Sequence, residues 1–95
     1  MEVEGSYLVA RTLKEEGVEH LFFLMGGPNY EIINNSEDLG IKAIDFRHEQ
    51  AASMAAHGYA RVTGKPGVTT AASGPGTLNL LTGQYTAWVD CAPMI

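Results

Sequence analysis

The chain has a single cysteine, Cys91, so no disulfide can form within it, and nothing in its composition points to an oxidising compartment. Cys91 is expected to be a small buried apolar residue. Cations are scarce. Six Lys and Arg stand against eleven Asp and Glu, a net charge of −5, which argues against a nucleic-acid groove or an anionic membrane surface as partner. No apolar run is long enough to span a bilayer, and Met1-Glu2-Val3-Glu4 is acidic, unlike a signal peptide. A soluble, cytoplasmic protein is expected. Metal-ligand spacing is also missing: His20, His48 and His57 stand apart, with no Cys or Glu to complete a set. There is no Gly-Lys-Ser/Thr phosphate loop. Gly74-x-Gly76-x-x-Asn79 lacks both the third glycine and the later acid of a dinucleotide fingerprint.

What is present is an alternation of helix and strand. Ser6 is expected to cap a helix over residues 7–16, with Leu8, Val9, Thr12 and Leu13 along one side and Gly17 ending it. Leu21-Phe22-Phe23-Leu24 is an unbroken apolar run, the pattern of a strand covered on both faces in a parallel sheet. A short helix over 30–35 and a surface turn at 37–40 follow, then a second strand over 41–46. From Glu49 the chain reads as an alanine-rich helix ending at Gly64, with Pro66 just beyond. Two stripes share its length at i, i+4 spacing: Ala51, Ala55 and Tyr59, and beside them Ala52, Ala56 and Ala60. Such a surface invites close approach by another helix. Residues 67–72 make a third strand and 77–89 a helix with Leu78, Leu81, Tyr85 and Trp88 on one face. Pro93-Met94-Ile95 resembles the opening of a fourth strand. The order is that of an α/β domain, a parallel sheet with flanking helices. Residues 1–95 are expected to be one partial domain, the N-terminal piece of a longer protein, with an open sheet edge and an alanine face wanting its partner helix.

Three loops follow the three strands and open on one sheet edge: Gly26-Gly27-Pro28, His48-Glu49 and Ser73-Gly74-Pro75-Gly76. Glu49 has two readings. As an N-terminal carboxylate it stabilises its own helix through the dipole. As an acid at the carboxyl end of a strand, flanked by glycine-rich turns, it stands where ligands bind in open α/β sheets. Ser73 as a nucleophile would need an oriented base, and none is visible; it is expected to cap the helix that follows.

These residues also carry a resemblance. Gly17-Val18, the double glycine Gly26-Gly27, Arg47-His48-Glu49-Gln50-Ala51-Ala52 and Ala56-His57-Gly58-Tyr59-Ala60-Arg61 form one half of it. Thr63-Gly64-Lys65-Pro66-Gly67-Val68, Ser73-Gly74-Pro75-Gly76, Asn79 and Asp90-x-x-Pro93 form the other. Together, from about Gly5 to Ile95, they resemble the N-terminal, pyrimidine-binding domain of thiamine-diphosphate enzymes of the acetolactate synthase and 2-oxo-acid decarboxylase group. The resemblance implies an incomplete thiamine-diphosphate-binding fold, and two further domains in the parent, with the diphosphate and its magnesium on the C-terminal one and no metal ligand in this chain. It implies a 2-oxo acid substrate and a homodimer or homotetramer with the site between subunits.

The resemblance further implies that Glu49 is the acid that hydrogen-bonds the cofactor's pyrimidine nitrogen and helps the cofactor lose its C2 proton. Glutamate suits this task because a buried carboxyl group has a raised pKa and can share a proton near neutrality. Ser73, Pro75, Gly76 and Asn79 would shape the wall near the pyrimidine, with Gly26, Gly27 and Pro28 on the substrate side. His48 is open between helix-start structure and a ligand role. The pattern departs at the first loop, where Met25 precedes the double glycine and Pro28 follows it, whereas many relatives carry proline before it. Some decarboxylases of the group place an acid at the position of Gly27, so the glycine favours carboligation over aldehyde release. The alternative from a different class is a non-catalytic binding or assembly module, an isolated pyrimidine-domain fragment without turnover.

Overall fold

The computed structural model describes residues 2–95. The apolar runs form three parallel strands, β1 (His20–Phe23), β2 (Lys42–Asp45) and β3 (Val68–Thr70), in the spatial order β2-β1-β3. Leu21 of β1 stands between Ala43 and Val68 in register. As the central strand, β1 buries Leu21, Phe22 and Phe23, because both faces of the sheet are covered.

Alternation along β1 splits the core in two. Leu21 and Phe23 join Val18, Ile33, Ile41 and Val68, with Leu13 packed against them, beneath α1 (Gly5–Glu15) and α2 (Tyr30–Asp38). Phe22 points the other way, onto Ala52 and Ala56 of α3 (Glu49–Thr63). The fourth helix, α4 (Pro75–Val89), lies beside α3 and touches the sheet where Gln84 Nε2 donates to Thr69 Oγ1 at 3.2 Å. Helix pairs thus cover each face of a parallel sheet. No helix among the described residues is long and apolar enough to cross a membrane.

Several local expectations need correction. The first helix starts at Gly5 with Glu4 as its N-cap; Ser6 lies inside it and accepts from Asn35 Nδ2 at 3.1 Å. Of its expected face, Leu8, Val9 and Thr12 are exposed and Leu13 is half-buried, while Ala10 is the residue fully enclosed. Glu37 and Asp38 belong to α2, which runs on until Gly40 turns the chain. Ala52, Ala56 and Ala60 are buried; of the first stripe Ala51 is exposed while Ala55 and Tyr59 are half-buried against the same cluster, so the second stripe is the more deeply packed. That stripe needs no partner helix, because Phe22 of the sheet covers it; α4 packs instead on the neighbouring line of Glu49 and Ser53. Cys91 is exposed, at a left-handed turn with φ 53° just past α4.

The large apolar residues of α4 share one face, as expected, and that face points outward. Leu78, Leu81, Tyr85 and Trp88 are 65%, 54%, 71% and 80% exposed. The face turned inward is Gly76, Leu80, Gly83 and Ala87. Small residues let α4 lie close on α3, and the large apolar ones are left outside. Pro93 to Ile95 return to the sheet as expected: Gly67 pairs with Met94 in parallel sense, and Ile95 donates to Gly67 O at 2.9 Å.

Candidate functional site

Glu49 is the first residue of α3, directly after the turn that follows β2. The preceding His48 is extended and its Nδ1 accepts the Gln50 backbone N–H at 3.0 Å. It is the N-cap, so the helix-start reading of His48 has its geometry. The cap and the chain reversal aim the Glu49 side chain across to α4, and the residue is only 9% exposed.

Asn79, one turn into α4, donates from Nδ2 to Glu49 Oε2 at 3.1 Å. The other oxygen, Oε1, lies over Gly76, where a Cβ would stand 3.3 Å from it. The carboxylate therefore rests against the first turns of two helices, a position both dipoles favour for a negative charge. Its pKa is lowered from the ordinary 4.5. Its own backbone N–H contributes most, the Asn79 amide next, and together they outweigh the upward push of desolvation. The expectation of a raised value is thus overturned for this chain, because donors to the charged form win over partial burial.

The glycine loops converge on the same place. A Cβ on Gly26 would lie 2.4 Å from that of Ala72, and one on Gly76 3.2 Å from it, so the turns after β1 and β3 touch and Glu49 stands next to the second. Gly74 is the N-cap of α4 with φ 70°, ψ −122°, a backbone shape that side-chain-bearing residues rarely adopt, and Pro75 opens the helix. Ser73 is exposed and is not the cap; instead Thr77 Oγ1 donates to Ala72 O at 3.0 Å. Of the residues expected at the site, Glu49, Gly76 and Asn79 are brought into contact. Gly26 is half-buried against Ala72, while Ser73, Pro75, Gly27 and Pro28 are exposed on the surrounding turns.

One contributor was missed from sequence. Asn29 is buried, accepts the Gly26 backbone N–H on Oδ1 at 2.8 Å and donates from Nδ2 to Leu24 O at 3.3 Å. It ties the double-glycine turn to the end of β1. The signal was available, an Asn three residues after Gly26 in a Gly/Pro turn, where such side chains bond local backbone.

The fold is a parallel α/β layer with an acid beyond one strand end and glycine turns beyond the other two, the edge at which such sheets bind ligands. The chain belongs to the family described as thiamine pyrophosphate enzyme, N-terminal TPP binding domain, whose model matches residues 3–95. Among its relatives, the acetolactate synthase of Arthrospira platensis is 46% identical over 98% of this chain and 17% of its own length. The acetolactate synthase large subunit of Lactococcus lactis subsp. lactis is 48% identical over 96% of this chain and 16% of its own. The 2-hydroxyacyl-CoA lyase of Arabidopsis thaliana is 41% identical over 98% and 16%. The chain thus spans about a sixth of the length of these relatives.

Proposed function

We propose that this chain is the opening portion of a thiamine-diphosphate-dependent enzyme acting on a 2-oxo acid by forming or breaking a carbon–carbon bond, in the manner of acetolactate synthase. The observation that carries the reading is the Glu49 carboxylate, held by Asn79 over the bare Cα of Gly76 where the strand-end loops meet. The residues fit an aminopyrimidine. A carboxyl oxygen is positioned to share a proton with a ring nitrogen, and glycine, rather than a bulky side chain, stands beside it. Bound there, thiamine diphosphate would supply the nucleophilic carbon that attacks a carbonyl.

Glu49 holds the proton exchanged with the ring nitrogen, and Asn79 fixes the carboxylate's orientation. The turns around Gly26 and Gly76 form the adjoining walls. In the uncovered chain, hydrogen bonds favour the charged carboxylate. Covering it with the ring and a second subunit would remove water and drive the pKa up, toward a working acid. A second copy of the chain is the proposed cover, as a homodimer or homotetramer, because the exposed stripe of α4 begins at Leu78, beside Asn79. Magnesium is assigned to a domain outside these residues, and the compartment to the cytoplasm. The 95-residue chain by itself is proposed to pair without turnover, as an assembly module, since it covers a sixth of its relatives.

Exchange of the cofactor's C2 proton with solvent deuterium tests the role of Glu49 without any substrate. In the full-length protein with saturating cofactor, Glu49→Gln is expected to slow it by about a hundred- to ten-thousand-fold, the usual worth of general acid–base help. Exchange as fast as wild type would leave Glu49 a helix-start carboxylate.

A further inference from the structure

Helices α3 and α4 run side by side in the same direction, each following a strand of a parallel sheet, and their contacts keep one register. Glu49 meets Asn79, and one turn later on both helices Ser53 meets Gly83. At the far end His57 and Arg61 meet Asp90: His57 Nε2 lies 3.3 Å and Arg61 Nη1 2.9 Å from Asp90 Oδ2. The middle contact is the tightest. A Cβ at Gly83 would fall 2.0 Å from Ser53 Oγ, 2.7 Å from Ser53 Cβ and 3.0 Å from the Met54 backbone nitrogen. Ser53 is fully buried, and its Oγ is held by donating to Gln50 O at 3.0 Å, so the neighbour has nowhere to swing.

We propose that Gly83 is a positioning residue for Glu49: by letting the two helix backbones close on each other at Ser53, it brings Asn79 within hydrogen-bonding reach of the Glu49 carboxylate. The inference rests on the proposed role of Glu49 for its functional meaning, but not for its geometry. Asn79 and Gly83 are one turn apart on a rigid helix, as are Glu49 and Ser53, so widening the Ser53–Gly83 contact lengthens the Asn79–Glu49 bond above it. Asn79 is exposed and its short side chain reaches Glu49 at 3.1 Å, which leaves little slack for a wider gap.

The test reads the Glu49 carboxyl directly, by carbon-13 NMR titration of the full chain, its signal identified by its loss in Glu49→Gln. Gly83→Ala is expected to shift the titration midpoint upward, in the direction of Asn79→Ala, and to weaken protection of the Asn79 side-chain amide. In the Asn79→Ala background, Gly83→Ala should shift it no further. Adding Ser53→Gly to Gly83→Ala removes the two closest clashes and should bring the midpoint back down. If Gly83→Ala does not fold, Ser53→Gly/Gly83→Ala is compared with Ser53→Ala/Gly83→Ala, and the first alone should keep the low midpoint. A folded Gly83→Ala protein with a lower melting temperature but an unmoved midpoint overturns the proposal. So does a midpoint that Ser53→Gly fails to restore, or equal midpoints in the paired comparison. The catalytic reading fails separately, on cofactor exchange in Glu49→Gln, whatever the titration shows.

Discussion

Glu49 shows how a residue's chemistry depends on partners distant in sequence. Its position after a strand was legible from the run 41–46 and the helix that follows, but the direction of its pKa was not. That direction depends first on how the Glu49 side chain folds over its own N–H, and then on Asn79 Nδ2, thirty positions away. A carboxyl with a lowered folded-state pKa contributes stability that is complete above the unfolded value near 4.5 and is lost as pH falls through the lower folded value. Melts taken from neutral into the acid range should show this loss, and Glu49→Gln should reduce its steepness. Asn79→Ala should raise the Glu49 midpoint, because one of the two donors to the charged form is gone; a midpoint at or above 4.5 in the dissociated, cofactor-free wild-type chain would contradict the hydrogen-bonded geometry.

At the scale of elements, end signals were read well and buried faces less so. Gly64, with φ 72°, is the C-cap of α3, and Gly17, with φ 81°, turns the chain after α1, both at the expected places. The alanine helix offered two stripes of equal spacing, and only packing chose between them. Ala52 and Ala56 face Phe22, while Ala51 faces out. Ala56→Leu should therefore cost about 1–3 kcal/mol through overpacking, and Ala51→Leu should stay within about 0.5 kcal/mol of wild type. Denaturant titration of the two variants checks the assignment, and equal costs would contradict it. In α4 the large apolar residues share one face, as their periodicity indicated, and only packing decided that this face is the exposed one. The helix is apolar nearly all round, and the contact with α3 is made where side chains are smallest, at Gly76 and Gly83.

For the whole molecule, the exposed line of Leu78, Leu81, Tyr85 and Trp88 has no partner among the described residues. Contiguous apolar surface of this kind marks an interaction site. The chain is expected to self-associate at micromolar concentration, or to be only marginally folded. Leu81→Lys and Trp88→Lys are expected to lower the sedimentation coefficient toward that of a monomer without changing the helical circular dichroism. A wild-type chain that sediments as a stable monomer and melts cooperatively would contradict the expected pairing, as would variants that associate as strongly as wild type.

The sequence by itself determined the α/β class, the parallel sense of the sheet and the three loops on one edge. These follow from local patterns: an apolar run without alternation, glycines at helix ends, and an acid placed directly after a strand. Only the tertiary structure decided which alanine stripe is buried, which face of α4 is free, that His48 caps its helix and Ser73 does not, and that Glu49 is held in its charged form. The alanine stripe, the free face of α4 and the Glu49–Asn79 contact depend on residues far apart in the chain, whereas the two caps turn on local backbone shape. Helices α3 and α4 approach closely at Gly83 and Gly76, and periodicity carries no record of which neighbour a glycine will admit.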